Sequence, residues 1–385
     1  MAEPEPLPWR HTLFLQFEGT SLSWVPTPEE ENAALGQSFM AKFEGSELPP
    51  YDGDDVARQA LLQQVRAHFE GLGLRVVDTQ PPDWVPYTMA VVGGEWNDTA
   101  ATSVVRGVAP EVDCLRANQR HVVFAFVGSD EPTVQQATTI SQEAGHAWGL
   151  DHVLGDGLIM SYDWEALSSG FSTDCVPLCE EACQGPDTVY CEAQHAEHCP
   201  EGEQSSWAEL LMTFGDDTPD TEPPTITVLV PAEGEVLPPG ASVLVEVEVT
   251  DDYGGVGWRF ELELDGEPAA DQTAFERETT WSLTSLPEGS YLLRVIAEDH
   301  ADHRVEQTVA FEVGEVAATG GLDESGGTDD ADATTDGDET GDDATSGPAA
   351  DDGGTDGCAC ATSPDRSPTW LLLVLAALSR RRARR

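Results

Sequence analysis

Residues 142–152 read Gln142-Glu143-Ala144-Gly145-His146-Ala147-Trp148-Gly149-Leu150-Asp151-His152. On a helix, Gln142 and His146 stand four apart on one face and point at one spot. Glu143, offset by about 100°, reaches a group bound beside that spot. Gly149 permits a sharp turn at the helix end. The chain can then swing back and present His152 from outside the helix. Gln142, His146 and His152 would form a three-ligand metal site whose fourth position is open to water.

The flanking sequence sets this helix in a mixed layer structure. Apolar runs at 11–17, 75–79, 87–92 and 121–127 predict strands. Residues 54–72 have a helical period, with Val56, Ala60, Leu61, Val65 and Phe69 on one side and Gly71 and Gly73 at the end. Pro132 opens a second helix that runs to about residue 148. Strands with interspersed helices, the last one carrying the chemistry, predict an α/β (α+β) domain and not a helical bundle.

The 142–152 stretch closely resembles the HExxHxxGxxH helix of the metzincin zinc peptidases. Leu158-Ile159-Met160-Ser161-Tyr162 resembles their Met-turn, which places a Met beneath the metal. The matching positions are Glu143, His146, Gly149, His152, Met160 and Tyr162. The likeness covers 142–162 in detail and about 10–170 in architecture. It implies a zinc endopeptidase acting on protein or peptide substrates, with zinc on Gln142, His146 and His152. Glu143 would be the general base, Tyr162 an oxyanion donor and Met160 a packing floor. The departure is Gln142, which stands where the family has its first His. Its amide oxygen is a weaker, neutral and harder donor than imidazole. Gln142 therefore ligates a weaker site, or zinc sits on two His with extra water, or the chain is a metal-poor binder. The retained Glu143 favours catalysis. The alternative is an inactive surface binding or adhesion protein.

Six cysteines, Cys114, Cys175, Cys179, Cys183, Cys191 and Cys199, form an even set with five crowded into 175–199. In an exported chain they read as disulfides stapling a loop-rich subdomain, with Cys114 tying it to the sheet side. The rival reading is a second zinc site at Cys191, His195, His198 and Cys199. His11, His68 and His121 are isolated and read as structural or surface groups. Short alternating runs at 225–230, 242–250, 258–264, 280–283, 291–297 and 306–313, separated by turn signals, predict an all-β sandwich resembling bacterial immunoglobulin-like modules. His300 and His303 fall in its turn region, with no ligand partners at metal spacing. Acidic groups at Asp52, Asp54 and Asp55 and at Asp251 and Asp252 offer oxygens that calcium takes, but read first as solvated turns.

The chain of 385 residues has 72 acidic and 18 basic side chains, a formal charge of −54, which argues against a nucleic-acid partner. Residues 315–357 contain fourteen acidic residues and neither Lys nor Arg, the composition of a disordered spacer. Beyond it come Cys358 and Cys360, the apolar run 370–378 and Arg380, Arg381, Arg382, Arg384 and Arg385. The run is far shorter than the roughly 20 residues of a bilayer span. Cys pair, apolar helix and Arg cluster, in that order, resemble the C-terminal sorting tail of myxobacterial surface proteins. That resemblance implies a sorting protease as partner, transient membrane contact and a cell-surface or secreted destination, although no signal peptide is visible from Met1. The expected division is 1–172 metallopeptidase-like, 173–221 Cys-rich, 222–314 immunoglobulin-like, 315–357 linker and 358–385 sorting signal.

Overall fold

The computed structural model describes residues 8–114, 118–162, 170–179, 189–275 and 280–315. The expected spacer, the apolar tail helix, Cys183, Cys358 and Cys360 lie outside the described residues. Among those described, no helix is long and apolar enough to cross a membrane.

The fold is mixed α+β, with many strands and few helices. In chain order the first body has β1 (His11–Gln16), β2 (Thr20–Trp24), β3 (Gln37–Ser38), β4 (Ser46–Leu48), α1 (Asp55–His68), β5 (Leu74–Val77), β6 (Thr88–Val92), β7 (Gly107–Val108), β8 (Val122–Ala125) and α2 (Thr133–His146). Then follow β9 (Val176–Pro177), α3 (Glu192–His195), β10 (Glu203–Gln204) and α4 (Ser206–Phe214). The main sheet runs β5-β1-β6-β8-β7, its first four strands parallel and β7 antiparallel at the edge. Both of its faces are covered, which is why β6 and β8 are buried throughout and apolar save for Thr88. Leu13, Leu15, Ala90, Val92, Val123 and Ala125 pack in one core with residues of α1 and α2. Phe14, Met89, Val91, Val122 and Phe124 face the other way, toward Leu22, Ala33 and Leu48.

Two details of this body depart from the expected pattern. The buried stripe of α1 is Leu61, Leu62, Val65 and His68, whereas Val56 is 77% exposed and Ala60 is exposed too. Asp54 caps this helix by accepting from the Ala57 amide. In addition, the small sheet β3-β2-β4 packs over the second face, its short polar strands carrying little periodic signal.

The 173–221 segment is joined to this body by packing and by covalent bonds. Leu178, Leu210 and Phe214 are buried in the same core as α2. Cys114 is bonded to Cys191 and Cys175 to Cys199, and Cys179 is also disulfide-bonded. A crosslink of this kind typically stabilises by about 2–4 kcal/mol. Cys191 and Cys199 are thus spent in disulfides, which overturns the rival second zinc site. His195 lies instead between Asp151 Oδ2 at 3.0 Å and Glu209 Oε1 at 2.9 Å.

His121 is another buried ionic centre. Its ring nitrogens lie 3.0 Å from Glu31 Oε2 and 3.2 Å from Asp113 Oδ2. Burial alone would lower its pKa, but the two carboxylates hold it up at about 9, against an ordinary 6.5. A raised folded-state pKa means that the stabilisation is complete below about pH 6.5 and is lost as pH rises through about 9. The Tm gap between the wild type and His121→Gln is therefore expected to narrow from pH 6.5 to pH 9.5 in thermal melts. A gap independent of pH would refute the charged assignment.

The second body is a β-sandwich of β11 (Thr225–Val230), β12 (Val236–Leu237), β13 (Val243–Thr250), β14 (Gly257–Leu264), β15 (Glu267–Phe275), β16 (Thr280–Leu283), β17 (Gly289–Glu298) and β18 (Arg304–Val313). Its sheets are β11-β13-β16 and β12-β18-β17-β14-β15. Alternate residues Val243, Val245 and Val247, Trp258, Phe260 and Leu262, and Tyr291, Leu293 and Val295 fill the space between them.

The two bodies are closely joined. Thr12 Oγ1 meets His300 Nδ1 at 2.9 Å, Arg75 pairs with Asp302 at 2.8 Å, and Trp84 Nε1 donates to Glu298 at 3.2 Å. Arg10 donates to the Phe214, Asp216 and Thr218 carbonyls and stacks its guanidinium on Tyr253. At Gly257 a Cβ would fall 1.8 Å from the Trp84 carbonyl oxygen, so the close approach of β14 requires glycine.

Candidate metal centre

α2 ends at His146, and Gly149 turns the chain with φ of 90°. The returning segment is anchored on both sides of His152. The Asp151 amide donates to Gln204 Oε1, and Asp151 Oδ2 accepts from the Tyr190 and Cys191 amides. Val153 N donates to the Met160 carbonyl. His152 therefore enters the site from a fixed loop.

The two imidazoles meet with Nε2 atoms 3.0 Å apart. His146 Nδ1 donates to the Leu150 carbonyl at 2.7 Å, which leaves Nε2 as the lone-pair nitrogen facing the cleft. Burial keeps both rings neutral: the pKa of His146 is lowered, and that of His152 falls to about 2 through burial and then the neighbouring His146. Two nitrogens bound tetrahedrally at about 2.0–2.1 Å would lie about 3.3 Å apart, so the pair fits a zinc ion with little adjustment.

Gln142 and Glu143 stand on the same helix. The Gln142 amide nitrogen donates to the Ile159 and Ser161 carbonyls at 2.8 and 2.9 Å, so its Oε1 is the atom left to act as a ligand. Glu143 is buried, and loss of water drives its pKa up to about 8, partly opposed by a hydrogen bond from the Ala109 amide. Met160 is 1% exposed beneath the helix; a Cβ on Gly145 would lie 2.8 Å from its Sδ, so glycine makes room for the thioether. Tyr162 stacks on His152 with ring centroids 4.0 Å apart. Gln142, Glu143, His146, His152 and Tyr162 line one cleft of about 830 Å³.

The opposite wall is residues 104–112, including β7 at the sheet edge. This wall had no signal in the sequence. Gly107 lets it approach: an added Cβ would sit 2.5 Å from Glu143 Oε1. Should this cleft be catalytic, Gly107→Ala is expected to displace the Glu143 carboxylate and reduce turnover by at least about tenfold, with Tm little changed, because the clashing group is a flexible side-chain end. Equal kcat/KM in the two proteins would refute this.

Among the remaining acidic groups, Asp52 Oδ1 caps the Ser129 amide and Asp54 caps α1, so both serve the backbone. His11 and His68 are buried structural groups, bonded to Thr88 and Ser141.

Comparison with known proteins bears on the second body. Residues 224–295 match the sequence profile of the bacterial Ig domain. Similar solved structures include fibronectin(III)-like modules of Clostridium thermocellum CbhA, 19% identical, covering 24% of this chain and 47% of that one with a TM-score of 0.21. The PKD domain of human KIAA0319 is 16% identical, covering 27% and 91% at a TM-score of 0.18. The chain thus spans about half the length of the first of these. A search of curated proteins returns no match. The Ig domain and the disulfides are consistent with an extracellular protein.

Proposed function

We propose that the first body is a metzincin-like zinc endopeptidase, exported and held at the cell surface. The observation that carries the reading is the pair of imidazole Nε2 atoms facing each other at 3.0 Å beside a buried carboxyl group in one cleft. His146, His152 and Gln142 Oε1 would hold zinc. Bound there, the ion supplies Lewis acidity and an acidified water. The positive charge of a bound ion would hold the Glu143 carboxylate ionised against its burial, so that its oxygen could take a proton from the attacking water and deliver it to the leaving amine nitrogen. Tyr162, stacked on His152, hydrogen-bonds the developing oxyanion. An extended peptide would lie along the edge strand β7, whose backbone can pair with it. Exposed Val104, Tyr162 and Tyr190 give this cleft an apolar rim.

In this reading 1–172 is the catalytic domain, 173–221 a Cys-rich appendage, 222–314 the Ig domain, 315–357 a spacer and 358–385 a sorting tail removed near Cys358 and Cys360. The second reading, a non-catalytic binder, is favoured by one contact set: the Gln142 amide grips the 159–161 turn as a structural group would. Zinc content together with cleavage of an unfolded protein substrate separates the two. The endopeptidase carries about one zinc per chain and cuts, and a chelator stops it. A zinc-loaded protein that leaves substrate intact is the binder.

A further inference from the structure

Where the chain leaves α4 for the Ig domain, Asp220 meets Asp251 and Asp252, which follow β13, and Asp299, which follows β17. The ligand atoms of Asp220, Asp251 and Asp252 lie within 4.8 Å of one another, as do those of Asp220, Asp299 and His303. Segments 220, 251–252 and 299–303 are far apart in sequence, which is why His303 has no metal partner at chain spacing and yet sits in such a group.

The partners in this cluster are unequal. Asp299 is satisfied: Oδ1 accepts from the Ala301 and His303 amides, and Oδ2 from His303 Nδ1 at 2.8 Å. Asp220 is not. Its side chain is 4% exposed, both oxygens are buried, and neither accepts a hydrogen bond. Both oxygens of Asp251 are also buried without a donor. The amides of Glu222 and Asp252 approach these carboxylates and act on them electrostatically without closing a bond of normal geometry. Among the described residues, the basic side chain paired with Asp220 is His303, whose Nδ1 lies 4.0 Å from Asp220 Oδ1 and 2.8 Å from Asp299 Oδ2.

Buried carboxylate oxygens without donors are costly. A hard cation with ligands at about 2.3–2.6 Å accepts oxygens up to about 5 Å apart across it, the spread found here. We infer that Asp220, Asp251, Asp252 and Asp299 form a calcium-class cation site that clamps the linker to the Ig domain. The donors are oxygens, while the one imidazole turns to Asp299, which suits calcium better than zinc. Asp251, read from sequence as a solvated turn, is instead half-buried and, through loss of water and then the charge of Asp220, has its pKa raised to about 7.

The test is calcium titration into the full chain freed of divalent ions, by calorimetry and thermal melting, with magnesium as control and Asp220→Asn and Asp251→Asn in parallel. The wild type is expected to bind one calcium with Kd between about 10 µM and 1 mM and to gain several degrees in Tm at 10 mM. Each Asn variant should bind at least about tenfold more weakly. Without calcium it should melt at or above the wild-type temperature, since it removes one of the crowded charges. A wild type with no heat and no Tm shift at 10 mM overturns the inference; so does full-affinity binding in both variants. Neither result touches the zinc reading, whose ligands are elsewhere in the chain.

Discussion

For the proposed endopeptidase, Glu143→Gln is expected to lower kcat/KM by about 10²–10⁴-fold, with zinc content and Tm unchanged. Glutamine keeps the shape of the side chain and an oxygen that can still accept the Ala109 amide, so the wall made by 104–112 should stay in place. It cannot take a proton. Burial also disfavours the charged carboxylate, so the neutral amide carries no stability penalty at this site. The measurement is steady-state cleavage of a fluorogenic peptide beside metal analysis of the same preparations. A loss below threefold would remove Glu143 from the chemistry. A loss accompanied by loss of zinc would assign it a role in holding the site together.

Gln142→His should move two quantities in opposite directions. Imidazole is the better zinc donor, so competitive chelator titration is expected to show zinc held at least about tenfold more tightly. The substitution also removes the amide that donates to the Ile159 and Ser161 carbonyls. At about 0.5–1.5 kcal/mol net for each hydrogen bond, the metal-free protein should become less stable by about 1–3 kcal/mol. Tighter zinc with a lower metal-free Tm identifies Gln142 as both ligand and clamp. Unchanged zinc affinity with the lower Tm identifies it as the clamp alone.

Much of this was legible because period and burial coincide. The runs at 87–92 and 121–127 are almost wholly apolar since helices cover one face of the sheet and β2–β4 the other. The helix, glycine turn and second His follow directly from their spacing, and the structure brings Gln142, Glu143, His146, His152 and Tyr162 to one cleft. Legibility fails where a partner comes from far along the chain. Val56 and Ala60 fit the helical stripe, but both face solvent, while Ala57 beside them reaches the core. β15, Glu267–Phe275, lacks alternation because it is the last strand of its sheet. α4 follows a crowd of cysteines whose pairing gives no clue that Leu210 and Phe214 enter the main core. Gln142 also has a second task, gripping a turn seventeen residues on, which no local pattern announces.

Gly257 bears on how such a chain can be recombined. With Trp84 against its α-carbon and Arg10 binding the Asp216 and Thr218 carbonyls of the linker, the Ig domain is keyed to its neighbour and does not hang as an interchangeable bead. A gene fusion that grafts another sandwich at this point must bring a glycine at the same place in the strand, or the graft will sit apart from the first body. Shuffling of this module is therefore limited by a missing side chain as much as by any contact that is present.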